Sequence, residues 1–70
     1  MNTPFKLNSD SIELAKLLKA TGLCESGGQA KYVIGEKLVK VNGIIETRKA
    51  FKVMAGMSVQ FQDCVIEVSS

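Results

Sequence analysis

The pair Asn42-Gly43, set between the apolar runs Leu38-Val39-Lys40-Val41 and Ile44-Ile45, constrains this chain more than any other feature. A two-residue connection between strands needs φ above zero at both central positions, which asparagine and glycine adopt at least cost. A β-hairpin is expected there, with Val39 and Val41 on one side of their strand and Lys40 on the other, in solvent. Downstream, Met57, Val59 and Phe61 alternate with Ser58 and Gln60, Gln62-Asp63 turns the chain, and Cys64, Ile66 and Val68 repeat the period of two. The C-terminal half therefore reads as a small antiparallel sheet.

The N-terminal half carries helical spacing instead. Asp10 followed by Glu13 reads as a helix start, in which a carboxylate accepts from unpaired backbone N–H groups of the first turn. Ile12, Leu14, Ala15, Leu17 and Leu18 then form an apolar face, and Gly22 supplies a left-handed stop. A second helix is expected from Ser26, because Ser26-x-x-Gln29 is a capping box that satisfies two backbone donors reciprocally. Ala30, Val33 and Ile34 lie on its apolar face, and it should end between Gly35 and Lys37. Residues 1–9 read as a lead-in, with Phe5 and Leu7 alternating about Lys6 as a brief strand, and residues 10–70 as a single domain. Helices first and strands after imply an α+β fold, two short helices packed on one face of the sheet.

Composition narrows the function. The chain has 70 residues, 46% of them apolar, enough for one core in a domain that buries only about 60% of its unfolded surface. It has no histidine, so the commonest general base and the commonest metal ligand are both missing. Cys24 and Cys64 stand far apart in apolar surroundings and read as buried free thiols, too few for a zinc site. The seven acidic residues are scattered, and no pair suggests acid and base partners. Neither an enzyme nor a cofactor is expected. The longest uncharged stretch, Val53 to Gln62, is about half the length that crosses a bilayer. No secretory pattern opens the chain, so a cytoplasmic location is expected, and a monomer is the expected state.

The net charge of +2 conceals an asymmetry. Lys31, Lys37, Lys40, Arg48, Lys49 and Lys52 face only Glu36 and Glu46 within residues 31–52, a local balance of +4 against −2 for the remainder. Several cations on one surface suit a phosphate backbone, whose neutralisation releases counterions; lysines that merely keep a small protein soluble are the plain alternative. Arg48 is the one arginine, and its planar fork can hold a phosphate or stack on a base, or else form an exposed ion pair with Glu46 or Glu67. Gly27-Gly28 leaves the backbone N–H groups of a helix start open to a phosphate, or simply shapes the turn. Among the few aromatics, Phe61 alternates into the core. Tyr32 beside Lys31 is the candidate for an exposed ring, although a packed ring with its hydroxyl at the surface is the preferred reading.

Taken in order, Ile12-Glu13-Leu14 through Leu18, Gly22-Leu23, Glu25-Ser26-Gly27-Gly28-Gln29-Ala30-Lys31, Ile34, Leu38 to Gly43, Glu46-Thr47-Arg48 and Ala55 to Val59 resemble the RNA-binding domain named after the fourth protein of the small ribosomal subunit. The likeness is greatest to its bacterial YbcJ-type branch and spans about residues 10 to 68. It implies an αL fold, with RNA held by the start of the second helix and the neighbouring hairpin. Related modules occur in pseudouridine synthases, tyrosyl-tRNA synthetases and a heat-shock protein that binds the large ribosomal subunit, where the module binds and another domain catalyses. Carried across, the helix-start positions are Ser26, Gln29 and Lys31, the hairpin position is Lys40, and Arg48 and Lys49 match a basic pair. This sequence departs from the family at Gly27, where arginine is common, and at Lys37, where glycine is common.

The expectation is a non-catalytic domain that contacts ribosomal or transfer RNA, and through it the ribosome, by Ser26, Gly27, Gly28, Gln29, Lys31, Lys40, Arg48, Lys49 and Lys52. The rival is a protein-interaction adaptor that uses an exposed sheet edge or apolar patch. One continuous positive face from the Ser26 helix start to Lys40 and Arg48 would favour RNA.

Overall fold

In the computed structural model, which describes residues 2–70, φ is 52° at Asn42 and 83° at Gly43, as the hairpin requires. The turn joins β3 (Val39–Val41) to β4 (Ile44–Ile45), with Val41 opposite Ile44 and Lys40 opposite Ile45. Asn42 also fastens the turn to the next strand, β6 (Ser58–Phe61). Its N–H donates to the Ser58 carbonyl at 2.8 Å and its Oδ1 accepts from the Ser58 N–H at 3.0 Å. Strand β6 pairs with β3 on one side and, through a turn with φ of 56° at Gln62, with β7 (Cys64–Ser69) on the other.

The sheet extends beyond the expected antiparallel set. Residues read as a lead-in form β1 (Asn2–Lys6), which runs parallel to β7 at the sheet edge, and Leu7 enters the core. The strand order is β1-β7-β6-β3-β4, so the sheet is mixed. A proline within β1 is tolerated because an edge strand can spare a ladder donor.

The first helix starts later than its apparent cap. Ile12–Glu13 is a short strand, β2, antiparallel to β5 (Lys52–Val53), and α1 spans Leu14–Ala20 with no side-chain cap. Its first donors are satisfied from a distance: the Leu14 N–H donates to the Phe51 carbonyl at 2.9 Å and the Ala15 N–H to the Lys49 carbonyl at 3.2 Å. Tertiary carbonyls do what Asp10 was expected to do.

The second helix, α2 (Gly27–Gly35), is capped as its sequence implies, by Ser26 Oγ accepting from the Gln29 N–H at 3.1 Å. The reciprocal arm reaches one residue further back, with Gln29 Oε1 accepting from the Glu25 N–H at 2.8 Å. Its C-terminus closes in a Schellman arrangement: the Lys37 N–H donates to Ile34 O, the Leu38 N–H to Val33 O, and Lys37 takes φ of 64°. Gly22, with φ of 82°, holds the equivalent position after α1.

One core joins these elements. Leu14, Ala15, Leu17 and Leu18 of α1 and Ala30, Val33 and Ile34 of α2 meet Val39, Val41, Val59, Phe61, Ile66 and Val68 from the sheet. Cys24 is buried there as a free thiol, and burial pushes its pKa up; Cys64 is only half-buried. Among the described residues no helix is long and apolar enough to cross a membrane.

Candidate nucleic-acid interface

The β2–β5 pair and the bonds from Leu14 and Ala15 pin the segment 49–53 against the start of α1. Opposite lies α2, whose Lys31 and Gly35 stand one turn apart. Between the two walls is an open groove of about 780 Å³, lined by Lys31, Gly35, Thr47, Arg48, Lys49, Ala50, Phe51 and Lys52. Four of the nine residues expected to bind RNA, Lys31, Arg48, Lys49 and Lys52, are thereby collected from two elements that are distant in sequence.

The remaining five are placed elsewhere. Lys40 is exposed between the buried Val39 and Val41, as its strand position requires, but it does not line the groove. Ser26, Gly27, Gly28 and Gln29 open α2 and lie outside the groove lining. Ser26 and Gln29 are also spent in part on capping bonds. The face anticipated from helix start to hairpin is thus divided: the groove gathers four of the cations, and the start of α2 and Lys40 lie outside its lining.

The electrostatics of the groove differ residue by residue. Among the described residues Lys31 and Lys49 make no ion pair, while Lys52 Nζ lies 3.5 Å from Glu13 Oε2. Arg48 is held by Glu46 and not by Glu67. Its Nε donates to Glu46 Oε2 at 2.9 Å, Nη2 to Oε1 at 3.2 Å, and its backbone N–H to Oε2 at 3.0 Å. These bonds hold the Glu46 carboxyl below its usual range and raise the Arg48 guanidinium above its own. The guanidinium carbon also sits 5.2 Å from the centroid of the Phe51 ring.

Thr47, Ala50, Phe51 and Gly35 are groove residues that reading the sequence missed. The available signal was Phe51 itself, an aromatic interleaved with Arg48, Lys49 and Lys52. Tyr32 is 65% exposed, so the packed-ring reading is corrected: nothing in the core claims its ring. No group of three or more acidic or cysteine side chains that could hold a metal occurs among the described residues.

Comparison with known proteins agrees with this architecture. The S4 domain family matches residues 5–69. YbcJ of Escherichia coli is 49% identical over 57 residues, covering 81% of each chain. RlbA of Bacillus subtilis, a probable ribosome maturation protein, is 31% identical over 62 residues, covering 89% of this chain and 87% of the relative. The solution structure of E. coli YbcJ, described as revealing an αL motif involved in RNA binding, superposes with a TM-score of 0.76 at 43% identity, over 97% of this chain and 87% of that one.

Proposed function

The chain belongs to the S4 domain family, a non-enzymatic RNA-binding fold, and from that premise we propose that it holds structured RNA mainly by its phosphates and shape. The target is ribosomal or transfer RNA, bound by a cytoplasmic monomer. Contacts come from Lys31, Arg48, Lys49 and Lys52 in the groove, extended by Lys40 and by Ser26, Gly27, Gly28 and Gln29 at the start of α2. The observation that carries the reading is the groove itself, which gathers four cations from two distant segments around one concave surface. A phosphate backbone is the ligand such a surface fits, since each neutralised phosphate releases counterions. Helical RNA hides its major-groove edges, which favours recognition by shape over sequence. The ribosome-maturation relative supports a target connected with translation.

A mobility-shift titration of transfer RNA and of a ribosomal RNA fragment across salt tests this. Affinity falls with salt, Lys40→Ala with Arg48→Ala weakens binding, and Lys31→Ala or Lys49→Ala each reduce the logarithmic salt slope by about one. Absent or salt-independent binding overturns the proposal. The adaptor reading retains one observation, the apolar side chains of edge strand β4, where Ile44 is 73% exposed. A partner protein captured equally well after nuclease treatment would favour it.

A further inference from the structure

Arg48 is ill suited to the phosphate clamp its chemistry first suggests. Two of its five N–H donors, one on Nε and one on Nη2, are already taken by the two carboxylate oxygens of Glu46, and that carboxylate offsets its charge at close range. Phosphate neutralisation in the groove then falls mainly to Lys31 and Lys49, which make no ion pair among the described residues, with Lys52 shared with Glu13. Besides the three donors left on Nη1 and Nη2, Arg48 offers a flat surface. The guanidinium lies over the Phe51 ring, and the side chain is 72% exposed where it lines the groove. Glu46 fixes the plane through two hydrogen bonds accepted from the guanidinium, and its carboxylate is itself held by a third, accepted from the backbone N–H of Arg48.

Guanidinium planes and aromatic rings are the surfaces on which unpaired bases stack, whereas a paired base keeps both faces within its helix. A groove of about 780 Å³ has room for one nucleotide, lying within the roughly 300–1,000 Å³ of ordinary ligand sites. We propose that Arg48 is a seat for a single unpaired nucleobase, backed by Phe51 and oriented by Glu46 as a positioning residue. The ligand class is then an RNA helix interrupted by a bulged or looped-out nucleotide, its flanking phosphates held by Lys31, Lys49 and Lys52. This rests on the RNA-binding reading and deepens it.

The test compares two RNA hairpins of equal length and charge, one fully paired and one with a single bulged 2-aminopurine. The bulged hairpin binds tighter by roughly 5- to 150-fold, the range expected for one stacked base, and its fluorescence is quenched on binding. Arg48→Lys keeps the charge and removes the plane, so the ratio of the two affinities falls towards one and the quench is lost. Glu46→Gln frees the guanidinium and removes a negative charge. It lowers the ratio while strengthening binding of the paired hairpin, a split that mere loss of structure does not produce. Arg48 is exposed, so its variant folds; Phe51→Leu, checked by thermal melting, provides an independent arm. Equal salt-dependent binding of both hairpins by the unaltered protein, or an unchanged ratio in Arg48→Lys, overturns the stacking seat and leaves RNA binding standing. Failure to bind either hairpin at low salt overturns both.

Discussion

Lys37→Gly should make this protein more stable. Lys37 sits one residue beyond the cap of α2 with φ of 64°, in the left-handed region that side chains with a Cβ avoid. Such a conformation costs a non-glycine residue about 1–2 kcal/mol. Glycine relieves that strain but has more freedom to lose on folding, which returns about 0.5–1 kcal/mol. Taken from the middle of each range, the net gain is about 0.5–1 kcal/mol. Little else changes, because the bonds that close the helix run from the backbone N–H groups of Lys37 and Leu38, and the Lys37 side chain is exposed and makes no ion pair among the described residues. For a domain of this size the gain raises Tm by about 2–8 °C. Thermal melts followed by circular dichroism, with urea midpoints at unchanged m, measure it. Gly22→Ala is the mirror experiment: φ there is 82° and an added Cβ would meet nothing within 4 Å, so the loss, about 1 kcal/mol, is conformational alone. A neutral or destabilised Lys37→Gly protein would refute the argument.

Ser26→Ala removes the acceptor for the Gln29 N–H and should lower stability by about 1 kcal/mol in urea titrations; no change would mean that packing alone holds the start of α2. Ile66→Ala, at a fully buried position in the middle of β7, should cost about 2–5 kcal/mol, and a loss below about 1 kcal/mol would mean that the site collapses around the cavity. The Glu46 carboxyl titrates below its usual range because Arg48 donates to it. A lowered folded value means that its contribution is complete above the unfolded value and disappears as pH falls through the folded one. The Arg48 Nε–H resonance should therefore keep its bonded shift through the ordinary glutamate range and lose it only at lower pH. A midpoint at the ordinary value would show that the pair does not persist in solution.

The parts of the fold legible from the residues are those specified locally. Asn42-Gly43 needs only its own backbone to make the turn, Ser26 and Gln29 cap a helix three residues apart, and the period of two through Val59 and Ile66 survives any tertiary arrangement. What misled was also local. Asp10 and Glu13 have the composition of a cap, yet the donors they would serve are taken by the carbonyls of Lys49 and Phe51, some 35 residues on. Strand β1 is only faintly marked in the sequence, as the brief alternation of Phe5 and Leu7, for a related reason: it is an edge strand, half-buried on one side, and it carries a proline.

The candidate site was less legible than the fold, because a charge run is a line in sequence while a binding surface is an area. Of the six cations between residues 31 and 52, the groove takes Lys31, Arg48, Lys49 and Lys52 and leaves out Lys37 and Lys40. Lys40 alternates to the exposed face of β3, and Lys37 is carried past the helix end by its left-handed turn. Nothing within residues 46–53 specifies that this segment will be pinned beside α1 and face α2; that depends on the two-residue pairing of Ile12 with Val53 and Glu13 with Lys52. The same tether that displaces the expected helix start builds the groove. Disrupting it, at Val53 for example, should therefore disturb stability and RNA affinity together, whereas Lys31→Ala should affect affinity alone.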